Sequence, residues 1–214
     1  MSALPGTLLL RSGCFAILLF MLFQAYTSFG ELNDTSSQLI NQWKSLLSDP
    51  KHSSDLEKLA SANNFFNDNI RFTTDMAAWN VKDYWATPLE TLKLRQGDCE
   101  DFSIAKYITL LKMNVSVDKL RLVYVKAILP TGQTQAHMVL AYYPSLHAEP
   151  FILDNLNLNI LPASKRRDLI PIYSFNSEGL WIGQDRNPKI KRAETRLSNW
   201  REVMLRMKTE GIYD

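Results

Sequence analysis

Apolar and polar positions divide the chain into a helical first half and a strand-rich second half. From Gln38 to Leu47, and again from Ser54 to Asn69, the spacing is helical. In the second segment Leu56, Leu59, Ala60, Asn63, Phe66 and Ile70 mark successive turns, and Ser53 or Ser54 can cap it. Residues 75–97, DMAAWNVKDYWATPLETLKLRQG, read as an irregular aromatic loop and then a short helix from Pro88 to Leu94, with Gly97 as its breaker. Residues 99–113 follow as a helix, with Asp98 as its cap and Phe102, Ala105, Ile108 or Thr109, and Leu111 or Lys112 on successive turns. The pattern then alternates: strands are predicted over 120–129, 136–143, 149–156, 159–162 and 169–175, with a Pro130-Thr131-Gly132 turn after the first. Their close spacing predicts an antiparallel meander. Residues 188–209 return to helical spacing, with Ile190, Ala193, Leu197, Trp200, Met204 and Met207 on one face. Their basic other face is either solvated or a contact for an acidic membrane surface or partner. Lys165-Arg166-Arg167 reads as a solvated turn.

The first thirty residues carry a different pattern. One charge, Arg11, precedes the unbroken apolar run Cys14 to Phe23, and small residues follow at Ser28 and Gly30. This is the layout of a secretory signal peptide over residues 1–30, cut near 28–30, since the run is short for a membrane span. An uncleaved anchor is the alternative. Residues 31–214 then form a single α+β domain, of a size that supports one core. Composition adds little: 46% hydrophobic, 21% charged and a net charge of +2 exclude a global basic field for nucleic acid.

Cysteine usage changes the picture. The chain has two cysteines, and Cys14 lies within the predicted signal peptide. Cys99 is then the one cysteine of the mature chain, and a lone thiol in an oxidising compartment is a hazard unless buried or useful. It opens a predicted helix, whose N-terminus favours a thiolate. His137 lies within an alternating strand, and Asp154 ends the next one. Helix-start Cys, strand His and neighbouring-strand Asp form the arrangement of a papain-like or transglutaminase-like site. The thiol needs a base, and the imidazole needs a carboxylate to fix its tautomer. Taken singly, each residue has an ordinary structural reading; the three in this order on these elements point to catalysis. His52 and His147 read as exposed turn residues.

Asp98, Glu100 and Asp101 crowd the thiol. Two unit charges about 5 Å apart interact by roughly 3 kcal/mol at an effective dielectric near 20, and by under about 1 kcal/mol in water. The helix terminus returns only about 0.3–2 kcal/mol. The acids therefore keep the thiol protonated unless something cancels them. Either Asp98 and Glu100, with Asp101, hold a hard cation such as Ca²⁺, or the segment is a solvated acidic turn. No EF-hand loop is present.

These stretches resemble a known family. DYWATPLETL (83–92), GDCEDFSIAKY (97–107), LRLVYVKA (120–127), AHMVLAYYP (136–144), ILDNL (152–156) and LIPIYSFNSEGLW (169–181) are similar to the bacterial transglutaminase-like cysteine proteinases. The resemblance implies a Cys99–His137–Asp154 triad and calcium dependence through Asp98 and Glu100, with Asp101 matching the motif too. It implies a periplasmic endopeptidase that cuts a large cell-surface adhesin near its N-terminus, after a pair of alanines, and so disperses a biofilm. It also implies sequestration by the periplasmic domain of an inner-membrane cyclic di-GMP receptor. Trp85 either lines the cleft or belongs to the core, and the WNVKDYW loop is a candidate receptor contact. The expected state is a monomer. Other readings of the same residues are a transglutaminase, a peptidoglycan amidase, or a calcium-binding regulatory protein with a vestigial triad.

Overall fold

The computed structural model describes residues 35–145, 147–182, 190–191 and 197–213. The predicted signal peptide lies outside these residues. Helix α1 covers 35–47, α2 Asp55–Asn69, α3 Asp75–Trp79, α4 Pro88–Leu94, α5 Cys99–Lys112 and α6 Ser198–Thr209. The strands are β1 Arg71–Phe72, β2 Gln96–Gly97, β3 Leu120–Ile128, β4 Thr134–Tyr142, β5 Phe151–Leu153, β6 Leu161–Pro162, β7 Leu169–Phe175, β8 Gly179–Ile182 and β9 Ile190–Lys191.

Local chemistry sets the helix starts. Ser54 caps α2 in a capping box with Glu57, and Thr87 caps α4 in another with Glu90, with Pro88 in the first turn. The end of α4 differs from the sequence expectation. Arg95 takes the left-handed cap at φ 54°, and Gly97 lies beyond it. Gly97 is needed for another reason: a Cβ there would lie 2.7 Å from both Cβ and Oδ2 of Asp101.

The main sheet is antiparallel, in the order β6-β5-β4-β3-β7-β8-β9. The expected meander holds from β3 to β6. β7 then returns to the free edge of β3, so the chain does not continue outward past β6. That return places β3 and β4 at the centre, where α5 packs on them. Every α5 residue from Asp101 to Leu110 is buried, because α2 and α4 cover its other side. The helix is therefore a central rod, covered on all sides. Trp43 Nε1 ties α1 to it by donating to Thr109 Oγ1 at 2.8 Å.

The tail departs from expectation as well. Ile190 and Lys191 form β9 against β8, and the helix begins only at Ser198. Residues 192–196 lie outside the described part. Trp200, Val203 and Met207 bury its apolar face. Its basic face is not wholly solvated, since Arg206 donates to the Trp85 carbonyl and its guanidinium lies 4.5 Å from the Tyr84 ring centroid.

Candidate active site

Cys99 is the first residue of α5, with Asp98 as its cap. Asp98 accepts from the Glu100 and Asp101 amides, and Asp101 Oδ2 accepts from the Asp98 N–H at 3.2 Å. This reciprocal pair fixes the first turn, and among the described residues the amide of Cys99 has no side-chain or loop acceptor. The other Asp101 oxygen accepts from the Ala86 N–H at 2.7 Å, tying the segment before α4 to the start of α5. Asp101 is 0% exposed, which only a close approach at Gly97 permits.

The half-buried thiol meets two groups. It donates to Glu100 Oε2 at 2.7 Å, and the backbone N–H of Met138, the residue after His137, points at the sulfur. Burial pushes the thiol pKa far up, Glu100 and Asp98 push it further, and the Met138 amide only partly opposes them. Burial, absent from the expectation drawn on sequence, is the largest cause, and with it and the acids uncompensated Cys99 is a protonated thiol.

His137 is 1% exposed and its Nε2 lies 2.7 Å from Asp154 Oδ1. With Nε2–H donating to the carboxylate, Nδ1 is the basic nitrogen. Asp154 sits just past the end of β5, where that strand runs beside β4. Its Oδ1 also accepts from the Asn155 and Leu156 amides at 2.7 and 3.0 Å, and Arg166 Nη2 donates to Oδ2 at 2.7 Å. Burial alone would raise this carboxyl. The bonds from His137, Leu156 and Arg166 outweigh it and hold the pKa near 2. The Asp154 carbonyl is gripped as well, by Lys106 Nζ and Asn67 Nδ2, both at 3.0 Å. Lys106 stands on α5, two turns after Cys99, and is buried with two further acceptors, Asn63 Oδ1 and Asn67 Oδ1. The helix that presents the thiol thus also holds the backbone of the carboxylate.

Three acidic residues converge a short distance away. Carboxylate oxygens of Asp75, Asp98 and Asp101 lie within 4.8 Å of one another, and ligand atoms of Asp98, Cys99 and Glu100 form a second such group. Asp75 and Asp98 each bury an Oδ1 that no donor among the described residues reaches. Burial and mutual repulsion raise Asp98 to about 8 and Asp75 to about 6, and push Asp101 well above the carboxylate range. Buried carboxylate oxygens without donors, in an all-oxygen set, fit a hard divalent cation. Next to them opens a cleft of about 600 Å³ lined by Asp75, Asp98, Glu100, Trp85, Tyr124 and Tyr173, among others. Trp85 is both wall and core, since it lines the cleft and stacks on Phe175 at 5.8 Å.

All six residues singled out from sequence lie in this region. His137 and Asp154 are in direct contact, Cys99 abuts the strand that carries His137, and Asp98, Glu100 and Asp101 surround the helix start. Two participants are new. Asp75 was hidden in what reads as an irregular loop and is in fact the first residue of the short helix α3. Arg166, expected in a solvated turn, is 3% exposed and paired with Asp154. A basic triplet offers no local sign that its middle residue is buried.

Comparison with known proteins bears on the fold and the family. The profile of the bacterial transglutaminase-like cysteine proteinases matches residues 24–183. Calcium-bound LapG from Legionella pneumophila superposes with a TM-score of 0.71 at 38% identity, over 81% of this chain and 91% of that one. EGTA-treated LapG from the same organism gives 0.70 at 37%, over 83% and 96%. A further LapG structure gives 0.68 at 37%, with the same coverage. No curated protein gives a significant sequence match. With the profile spanning most of the chain and the helix-on-sheet architecture shared, this chain belongs to the bacterial transglutaminase-like cysteine proteinase family.

Proposed function

We propose that the chain is a calcium-dependent cysteine endopeptidase of the periplasm that cuts the N-terminal region of a large surface adhesin, and that Cys99, His137 and Asp154 are its triad. The observation that carries this reading is the buried His137–Asp154 pair beside the strand contact of a helix-start thiol. His137 Nδ1 takes the Cys99 proton, and the sulfur attacks the scissile carbonyl. The Cys99 amide, at the first position of α5, donates to the developing oxyanion. The imidazolium returns the proton to the leaving amine, and water, deprotonated by the same ring, releases the acyl group. Asp154 holds the ring orientation and stabilises its cationic form.

Asp75, Asp98 and Asp101, with Glu100, would hold the calcium ion. When bound, it supplies the positive charge that these carboxylates lack, which removes their repulsion from the thiol. Calcium-bound and EGTA-treated forms exist for the Legionella relative, and this chain carries an acidic oxygen cluster that could hold such an ion.

Export follows from the signal-like first thirty residues, and release of the adhesin disperses a biofilm. The periplasmic domain of an inner-membrane cyclic di-GMP receptor sequesters the monomeric enzyme. The test is incubation of purified protein and calcium with the N-terminal region of a large adhesin from the same organism, read by mass spectrometry. One new terminus after an Ala-Ala pair is expected. Incorporation of an added primary amine without chain cleavage would establish a transferase instead.

A further inference from the structure

Arg166 follows the 3₁₀ turn 163–165 and projects inward to Asp154. The two oxygens of that carboxylate are not equivalent. Oδ1 takes His137 Nε2 and two backbone amides, whereas Oδ2 has Arg166 Nη2 as its hydrogen-bond donor among the described residues. The guanidinium is itself aimed: Nε donates to Asp168 Oδ1 at 3.0 Å and Nη2 to Asp168 Oδ2 at 2.7 Å. Asp168 side chain is 44% exposed and lies outside the triad, so the fork is anchored at the rim and delivers one N–H inward.

We propose that Arg166 is a positioning residue of the catalytic apparatus, fixing the Asp154 carboxylate so that Oδ1 stays on His137. The inference rests on the triad reading given above. Its physical basis is the cost of burial. At 2% exposure the carboxylate has no water to satisfy Oδ2. Without the cation, that oxygen is unpaired, and rotation about the Cβ–Cγ bond brings it into competition with Oδ1. His137 then loses its fixed partner. A positively charged planar group held by a second carboxylate meets both needs at once, charge and direction. A purely structural clip would predict something different: lost stability with unchanged chemistry in the molecules that fold.

Three variants of the full chain, loaded with calcium, separate these outcomes. The readouts are thermal melting, kcat and KM on a fluorogenic peptide carrying an Ala-Ala pair, and the rate of Cys99 alkylation by iodoacetamide at fixed pH. Arg166→Gln is expected to lower kcat by about 100-fold with KM nearly unchanged, because a misplaced catalytic group costs about that much. Alkylation should slow in parallel, and Arg166→Lys should recover about tenfold of the loss by restoring the charge without the fork. Folded Arg166→Gln with kcat within about threefold of wild type, or Arg166→Lys no better than Arg166→Gln, overturns the proposal. Should Arg166→Gln fail to fold, Asp168→Asn decides. A several-fold fall in kcat at constant KM supports the proposal, and an unchanged kcat refutes it. His137→Ala is the control for the parent reading. If it alkylates as fast as wild type and wild type cuts no peptide, the triad itself is wrong, whatever Arg166 does.

Discussion

Replacing Gly97 by alanine tests whether the active-site helix is seated by the close approach of Asp101. An added Cβ would sit 2.7 Å from two Asp101 atoms, nearer than carbon and oxygen tolerate. Asp101 is wholly buried, and its oxygens accept from Ala86 and Asp98, so it has no open space to retreat into. Overpacking of this kind costs about 1–3 kcal/mol. Loss of one of the two Asp101 hydrogen bonds adds about 1–3 kcal/mol, because the partner is left buried and unpaired. A total near 2–6 kcal/mol corresponds to a Tm lowered by about 4–24 °C in a domain of this size. Activity should fall by more than stability alone explains, since Asp101 also places the turn that begins with Cys99. Urea denaturation and peptide cleavage, measured on the same preparations, read both effects. Gly132→Ala is the comparison: Gly132 has φ +82° with nothing near its missing Cβ, so its cost is conformational, about 1–2 kcal/mol, with no effect on cleavage. A Gly97→Ala protein within about 0.5 kcal/mol of wild type would show that the tight contact is not what seats α5.

Asp75→Asn should act with opposite signs in two conditions. It removes one of the mutually repelling carboxylates, so the melting temperature in EGTA should rise, while calcium affinity should fall by about tenfold or more as the ligand charge drops. A lowered Tm in EGTA together with unchanged calcium affinity would contradict the assigned cluster. The Asp154 carboxyl, held near 2 in the folded state, contributes about 2 kcal/mol that is fully present above pH 4 and lost as pH falls towards 2. The stability difference between wild type and Asp154→Asn, from urea melts, should therefore shrink between pH 4 and pH 2.5; a constant difference refutes it.

Local pattern made much of the site legible. The start of α5 at Cys99, the alternation around His137 and the strand end at Asp154 are written in residues a few positions apart, and helix α4 and strand β7 fall where the spacing places them. What the pattern did not carry is long-range. The return of β7 to β3 depends on which edge of the sheet is free, a choice that no residue of LIPIYSF announces. The full burial of α5 is not legible locally, because the polar residues Asp101, Ser103, Lys106 and Thr109 interrupt its apolar ones. Each of them finds a buried partner from a distant segment: Ala86, Met138, Asn63 and Trp43 respectively. Arg166 and Asp75 were missed for the same reason. Their roles come from groups 12 and 23 residues away along the chain, brought close only by the fold. Gly97 was noticed but for the wrong purpose, because a breaker and a site of close approach look alike in sequence.

The central claim is a calcium-dependent nucleophile at Cys99. Its most direct test is cleavage of the adhesin N-terminal region by wild type, by Cys99→Ala, and by wild type in EGTA followed by excess calcium, resolved on one gel. The fragment is expected with wild type and calcium, absent with Cys99→Ala, absent in EGTA and restored when calcium returns. A fragment of equal intensity from Cys99→Ala, or from wild type in EGTA, would contradict the account.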